Sequence, residues 1–446
     1  MVKESVSPIR QNLVLFLHLR YNGLKTRMGI FNWFGKTQKE PKNSAIALDI
    51  GTEFVKALVF KVEDDKAVVL GAARQKQQLS DMAAGAVTDI NGVVKNCEKA
   101  LAEAAEMANE LPEQVIIGIA GELVKGMTTS VRYIRPNPKE KITLEELRDI
   151  IARVQRRAFD RVRSVLAWET GHSEIDVRLV NAAIVDIVID GYKIVNPIGF
   201  QGREVQVGVF NAFAPIVHLG ALQTIADSLD LDLLSIVVEP YAVAKSVAPD
   251  ESAKFSAIFI DVGGGTTDVA VVRAGGVEGT KMFALGGRAF TRRISGVFGI
   301  PFSQAEKMKI DYSHGELNEE KAEIVKKAID ADCEVWFSGI QLTLGEFSDV
   351  ELLPSKILLC GGGSHLPDIK DILETGNWSK KLPFAKKPTV KFITPKEVIN
   401  VLDQTGKLTQ PQDVTPMALA NLAIELVGEE TLVDNLLSKV AKGLGR

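Results

Sequence analysis

Two short apolar runs, each ending in aspartate and turning through glycine, constrain this 446-residue chain more than any other feature. The stronger turn reads Asp261-Val262-Gly263-Gly264-Gly265-Thr266-Thr267-Asp268. Ala257, Ile258, Phe259 and Ile260 lead into it and Val269, Ala270, Val271 and Val272 leave it, so the segment predicts strand, tight turn, strand. Three successive glycines are costly in chain entropy unless backbone must lie close against something. Asp261 and Asp268 flank the turn, which suits a hard cation bridged through water to phosphate. The weaker run, Asp49-Ile50-Gly51-Thr52-Glu53-Phe54-Val55-Lys56, repeats the design 212 positions earlier. Gly51 lets the backbone approach an anion, and the turn amides with the Thr52 hydroxyl can point at phosphate. Lys56 supplies a mobile point charge. A single Asp-x-Gly hairpin is more often a plain β-turn, and it is the repetition that points to phosphate.

A third glycine element follows the apolar run Ile357, Leu358 and Leu359: Cys360-Gly361-Gly362-Gly363-Ser364-His365, with a helix predicted to begin near Pro367. Such a loop admits a flat group, a base or ribose. None of these turns has the lysine and Ser/Thr of a P-loop. The two hairpins run into strands, not helices, so neither is a dinucleotide fingerprint. Lys plus Arg total 53 against 57 Asp plus Glu, and this net charge of −4 argues against nucleic acid as a partner. Cys97, Cys333 and Cys360 lie too far apart for a CxxC metal pattern or a disulfide framework, which suits a reducing cytosol. The five histidines have no metal-ligand spacing.

Together these elements resemble the phosphate-1, phosphate-2 and adenosine motifs of the actin, sugar-kinase and Hsp70 superfamily. Val237-Val238-Glu239-Pro240-Tyr241-Ala242 resembles its first connecting helix and Thr415-Pro416-Met417-Ala418 its second, all in the expected order. Within the superfamily the resemblance narrows to the bacterial FtsA family. It rests on Asn196-Pro197-Ile198-Gly199-Phe200-Gln201-Gly202, on Gly286-Gly287-Arg288-Ala289-Phe290-Thr291 and on Ala305-Glu306-Lys307-Met308-Lys309. It covers residues 44–427; the pilus protein PilM shares this layout.

The resemblance implies an α/β, two-lobed actin/Hsp70-like ATPase fold of duplicated ribonuclease-H-like domains, with an inserted small α+β 1C/SHS2 domain. Lobe I is expected at 44–113 and 208–253, the insert at 114–207, and lobe II at 254–408 with a 2B-like subdomain near 300–350. A helix at 409–427 returns to lobe I. In the insert, Thr143-Leu144-Glu145-Glu146 is a capping box. Leu147, Ile150, Ile151, Val154, Ala158 and Val162 give the helix an apolar face. Its other side carries Arg148, Arg153, Arg156, Arg157, Arg161 and Arg163, read as a solvated face or a protein contact. Strands are expected over 175–180 and 183–189, with a turn at Asp190-Gly191.

The ends differ from the rest. Residues 1–43 form a basic tail expected to be flexible; the first 42 hold eight Lys or Arg and two Glu, a local charge of +6. Met28 reads as an internal start, and Ile30, Phe31, Trp33 and Phe34 suit a membrane surface. Over 428–446, Leu432, Val433, Leu436, Leu437, Val440 and Leu444 recur at helical spacing beside Lys439, Lys442 and Arg446, an amphipathic helix with a basic end. Its aliphatic face departs from the aromatic tail usual in FtsA.

By resemblance the ligand is ATP with Mg2+. Asp49, Gly51, Thr52, Lys56, Gly263, Gly264, Gly265, Thr266 and Thr267 are expected at the phosphates, and Asp49 and Asp261 at the metal, mostly through waters. The Gly286-Gly287 turn is counted with the nucleotide site, Glu306 and Lys309 reach the ribose or base, and Gly361, Gly362, Gly363 and Ser364 border the adenosine. Glu239 is expected to orient the attacking water, helped by Asp268 and Lys56, with slow hydrolysis. The implied function is a cytoplasmic cytoskeletal adaptor that self-associates, meets division proteins through 1C and tethers FtsZ, a tubulin homologue, to the inner membrane. The alternatives are a PilM-like scaffold of a pilus or secretion machine and, remotely, a small-molecule kinase.

Overall fold

The computed structural model describes residues 43–171, 175–247, 255–348, 350–378, 382–424 and 426. The basic tail with Met28 and the C-terminal amphipathic segment 428–446 lie outside the described residues.

The first half opens with three antiparallel strands, β1 (Ser44–Ile50), β2 (Phe54–Glu63) and β3 (Lys66–Lys76). Asp64 and Asp65 join β2 to β3 with φ of 49° and 57°, the left-handed pair that a tight twisted hairpin needs. A two-residue ribbon follows, β4 (Met82–Ala83) with β5 (Ala86–Val87). Helix α1 (Ile90–Ala108) starts where the Asp89 carboxylate accepts from Gly92 N. Val93, Cys97, Ala100, Leu101 and Ala104 form its buried apolar stripe, at helical spacing in the sequence. Strand β6 (Gln114–Ile119) lies parallel to β1 in the same sheet.

The chain then builds a second layer from β7 (Lys125–Ile134), α2 (Leu144–Thr170), β8 (Val177–Ile189), β9 (Tyr192–Lys193) and β10 (Glu204–Pro215). Thr143 accepts from Glu146 N at the start of α2, as the capping box predicts. The apolar face of α2 is buried from Leu147 to Leu166 on β7 and β10, and Asp190-Gly191 turns β8 into β9 with positive φ at both residues. The layer does not start at 114, because residues 114–119 form β6 of the first sheet. Nor does it end at 207, because β10 runs unbroken to Pro215. The expected strands over 175–180 and 183–189 are one strand, β8.

Helix α3 (Ile216–Ser228), strand β11 (Asp232–Val238) and helix α4 (Glu239–Val247) complete the first half. The second half begins with β12 (Ala257–Val262), β13 (Thr267–Arg273) and β14 (Gly276–Phe283), again antiparallel. Helices α5 (Gly287–Phe298), α6 (Phe302–Ser313) and α7 (Glu319–Gly345) follow, then β15 (Lys356–Cys360), α8 (Pro367–Thr375) and β16 (Thr389–Phe392).

The two halves repeat one topology. In the first the order is β11-β6-β1-β2-β3, in the second β16-β15-β12-β13-β14. Each has three antiparallel strands, then a fourth parallel to the first and a fifth parallel to the fourth. Their outer edges are covered differently. Strand β17 (Val401–Asp403) adds in parallel to β3, whereas β14 pairs with β7 through Gly279 and Thr280. The second layer thereby joins the second half's sheet as the run β14-β7-β10-β8-β9. Helix α9 (Val414–Ile424), buried along most of its length, returns to the first half and packs on α4. Asn421 Nδ2 donates to Ser246 Oγ at 3.0 Å between the two helices.

Candidate functional site

Both glycine turns occupy the same place in their halves, where the first strand hands over to the second. Gly51 N donates to Phe54 O at 3.1 Å in one, and Gly263 N to Thr266 O at 2.9 Å in the other. The turns meet tip to tip. A Cβ on Gly264 would fall 2.8 Å from Glu53 Cβ, and one on Gly265 2.8 Å from Thr52 Cγ2. Part of the triple glycine therefore serves turn-to-turn packing, and Gly265 does not line the cavity.

Between the halves lies a cavity of about 690 Å3. Its walls include Asp49, Gly51, Thr52 and Lys56 from the first half and Asp261, Gly263, Gly264, Thr266 and Asp268 from the second. Glu239 at the start of α4, Glu306 and Lys309 on α6, and the Gly361, Gly362 and Gly363 loop also face it. The fold thus gathers residues separated by more than 300 positions in the chain.

Charge is distributed unevenly around this space. Lys56 Nζ sits 2.9 Å from Asp49 Oδ2. Burial alone would lower the Lys56 pKa, but the Asp49 carboxylate beside it outweighs burial, with help from Asp261 and Glu239, and raises it. Asp261 accepts from the Thr415 hydroxyl at 2.7 Å, yet burial pushes its pKa up. Asp268 is pushed well up by burial and then by Asp261 and Asp49, and its Oδ1 is buried without a partner. Glu239 is pushed well up by burial, then by Asp49, Asp268 and Asp261. Carboxylates stacked this closely with one lysine between them are a place where added positive charge is favourable.

Among the described residues no group of three or more His, Cys, Asp or Glu side chains closes into a metal cage. Mg2+ does not require one, because it keeps several waters and takes one or two carboxylates with substrate phosphates. The orphaned Asp268 Oδ1 and the mutual repulsion of the acids fit such a cation.

At the other end of the cavity, Lys309 Nζ donates to Glu306 Oε2 at 2.9 Å, Thr291 Oγ1 at 2.8 Å and Gly287 O at 3.0 Å. The Thr291 hydroxyl also donates to Glu306. Burial would raise the Glu306 pKa; Lys309 and Thr291 outweigh it and hold the carboxyl below the usual range. Gly361 has φ of +83°, and a Cβ there would strike the Asp261 carboxylate and lie 2.6 Å from Val262 O. Gly362 faces open space apart from Gln412. His365, half-buried beside this loop, pairs through Nε2 with Gln412 Oε1 at 2.6 Å.

Several expected ligands do not face the cavity. Thr267 turns its hydroxyl away, donating to Leu285 O at 2.7 Å and accepting from Trp336 Nε1 at 2.9 Å. The fully buried Ser364 donates to Gly361 O at 2.6 Å. Gly286 lies behind the second hairpin, where a Cβ would fall 2.6 Å from Gly263 O. Gly287 does line the cavity, but its N donates to that same carbonyl at 2.9 Å, so its amide is already used. Sequence reasoning missed Arg288, Gln410, Gln412 and Thr415 as cavity-lining residues. Arg288 and Thr415 stand inside the quoted motifs, but nothing local marks their reach.

A family model described as cell division protein FtsA matches residues 258–415. The FtsA of Enterococcus hirae is 24% identical over 412 residues, covering 87% of this chain and 88% of that protein. The FtsA of Pseudomonas aeruginosa is 24% identical over 351 residues, covering 74% and 80%. The Escherichia coli K12 protein is 26% identical over 272 residues, covering 59% of each. These relatives are all FtsA proteins, and the chain is similar to that family. That similarity implies a nucleotide-binding fold of the actin-like ATPase type. Among solved structures, the PilM–PilN type IV pilus biogenesis complex resembles it with a TM-score of 0.60 at 17% identity, covering 86% of this chain and 99% of that one. That likeness is one of fold.

Proposed function

We propose that this chain is an ATP-binding, actin-like adaptor of bacterial cell division that self-associates and tethers FtsZ filaments to the cytoplasmic face of the inner membrane. The observation that carries the nucleotide reading is the facing pair of glycine hairpins across one cavity, with Lys56 among buried acids and a third glycine loop at the far end. The repeated strand order supports taking the halves as duplicated ribonuclease-H-like lobes, and the β7–α2–β8–β10 layer as 1C/SHS2.

In this reading the backbones of Gly51 and Thr52 and of Gly263, Gly264 and Thr266 hold the phosphates, with Lys56 countering their charge. Asp49 and Asp261 hold Mg2+ through waters, with Asp268 in reach of that shell. When bound, Mg2+ neutralises phosphate charge. Glu306 and Lys309 take the ribose or base beside Gly361, Gly362 and Gly363. Glu239 orients water for a slow hydrolysis, helped by Asp268 and Lys56, and ATP acts first as a switch that closes the two lobes. The 1C-like layer serves self-association and other division proteins, and the 2B-like region around α7 receives FtsZ. The membrane contact falls to the basic amphipathic segment 428–446. Among the described residues no helix is long and apolar enough to cross a membrane.

The test is liposome co-sedimentation with ATP and Mg2+, comparing the full chain with one ending at Gly428, with and without an FtsZ homologue. Pelleting lost on truncation, with FtsZ carried down only by the full chain, supports the tether. ATP binding without lipid or FtsZ binding overturns it and favours a PilM-like scaffold, which shares the fold.

A further inference from the structure

A backbone loop that binds an anion must present amides and turn its carbonyls away. The two faces of a peptide unit are opposed, so a carbonyl tied on one side fixes where the next N–H points. In the first hairpin Gly51 O accepts from Gln77 Nε2 at 3.4 Å and Glu53 O from Gln77 N at 2.9 Å. Thr52 O accepts from Arg288 Nη2 at 2.7 Å. In the second hairpin Gly263 O accepts from Gly287 N at 2.9 Å and Gly264 O from Arg288 N at 2.8 Å. Residues 287–288, the first turn of α5, thus hold carbonyls of both hairpins, one through backbone amides and the other through a side chain.

We propose that Arg288 is the positioning residue that sets the two phosphate hairpins against each other, so that they act as one anion cradle. The deduction rests on the nucleotide reading above. Its side chain is 7% exposed, and its guanidinium spans the gap between the halves. Besides Thr52 O, it reaches Glu53 Oε2 through Nε at 2.7 Å and Met82 O through Nη1 at 3.3 Å. A planar fork of donors suits three acceptors in different directions, and an ammonium cannot reproduce it. The arrangement holds the Thr52–Glu53 peptide by its carbonyl side, from the opposite half of the molecule. It makes the geometry of the first hairpin depend on where the second half stands.

The consequence is selective. Arg288 matters for a ligand that carries phosphates and not for one that ends at the sugar, because the Glu306–Lys309 and 361–363 surfaces are built without it. The experiment measures calorimetric affinity of the full chain for MgATP and for adenosine, with thermal melts, in the parent, Arg288→Gln, Arg288→Lys and Glu53→Gln. Arg288→Gln is expected to weaken MgATP tenfold or more and adenosine less than twofold. Arg288→Lys recovers only part of the loss. Glu53→Gln, which leaves the bond to Thr52 O in place, costs less than Arg288→Gln. Equal losses for both ligands, or unchanged MgATP affinity, overturn the proposal. Should Arg288→Gln fail to fold, Arg288→Lys decides on the same criterion. A parent protein that binds neither ligand refutes the nucleotide reading itself, which is a different result.

Discussion

The two glycine hairpins are the same device built twice, and they differ in what stands opposite the aspartate. In the first, Asp49 is the cross-strand partner of Lys56. In the second, the matching position places Asp268 opposite Asp261. An opposite-charge pair across two strands is favourable and a like-charge pair is not, and burial makes a charge left without its partner costly. One step nearer the turn, the first hairpin pairs Ile50 with Val55 and the second pairs Val262 with Thr267. The first hairpin is therefore electrically closed on itself. The second keeps an uncompensated acid at the cavity and anchors its base through a hydroxyl. Division of labour follows: one hairpin brings its own cation, and the other is arranged for a cation that arrives with a ligand.

The largest break in this comparison comes from taking the lysine away. Lys56→Met leaves Asp49, 4% exposed, unpaired among Glu239, Asp261 and Asp268. Removing one partner of a buried pair costs about 3–5 kcal/mol. Urea unfolding at pH 7 is expected to show a loss of that size without nucleotide. An unchanged midpoint would mean that water reaches Asp49 freely and that the first hairpin is not closed.

A smaller effect comes from making the second hairpin resemble the first at its base. Thr267→Val copies the Val55 position and keeps the volume. It strips a partner from Trp336 Nε1, whose ring is fully buried, and from Leu285 O. An unsatisfied buried group costs about 1–3 kcal/mol. ATP affinity should stay within about twofold, since the hydroxyl faces the α7 side and not the cavity. A large loss of affinity at full stability would contradict that placement.

What the sequence discloses of this comparison follows from range. The hairpins, the buried stripe of α1, the Thr143 cap and the Asp190-Gly191 turn are written in neighbouring residues, through period, turn chemistry and capping. The limits of the inserted layer are not, because β6 and β10 are apolar runs whose sheet is decided by partners far along the chain. Pairing of β7 with β14 joins Gly126 and Met127 to Thr280 and Gly279 and has no local signal. Gly265 and Gly286 look like ligand glycines in sequence and are packing glycines in space. Arg288 is an ordinary helix residue until Glu53 and Thr52, 235 and 236 positions away, are brought beneath it.

The smallest effect is a slope, and it bears most directly on the uncompensated acid. Glu239, Asp261 and Asp268 all have pKa values raised in the folded chain, by burial first. The unfolded chain releases their protons at ordinary carboxyl values. Between those values and the raised ones the folded state holds more protons than the unfolded state, so stability falls as pH rises through that window. Each such group contributes at most about 1.4 kcal/mol per pH unit there. Lys56 works in the opposite range: its raised pKa loses stability only at alkaline pH and leaves this slope alone. Ligand-free protein should therefore melt higher at pH 5.5 than at pH 8. Asp268→Asn removes one of the three contributions and should flatten the slope, raising stability at pH 7 while weakening the Mg2+ dependence of ATP binding. Saturating MgATP should flatten it as well, because an ionised Asp268 then has a cation to face. A slope that neither change alters would place the titrating groups elsewhere, and the second hairpin would be no more in need of a cation than the first.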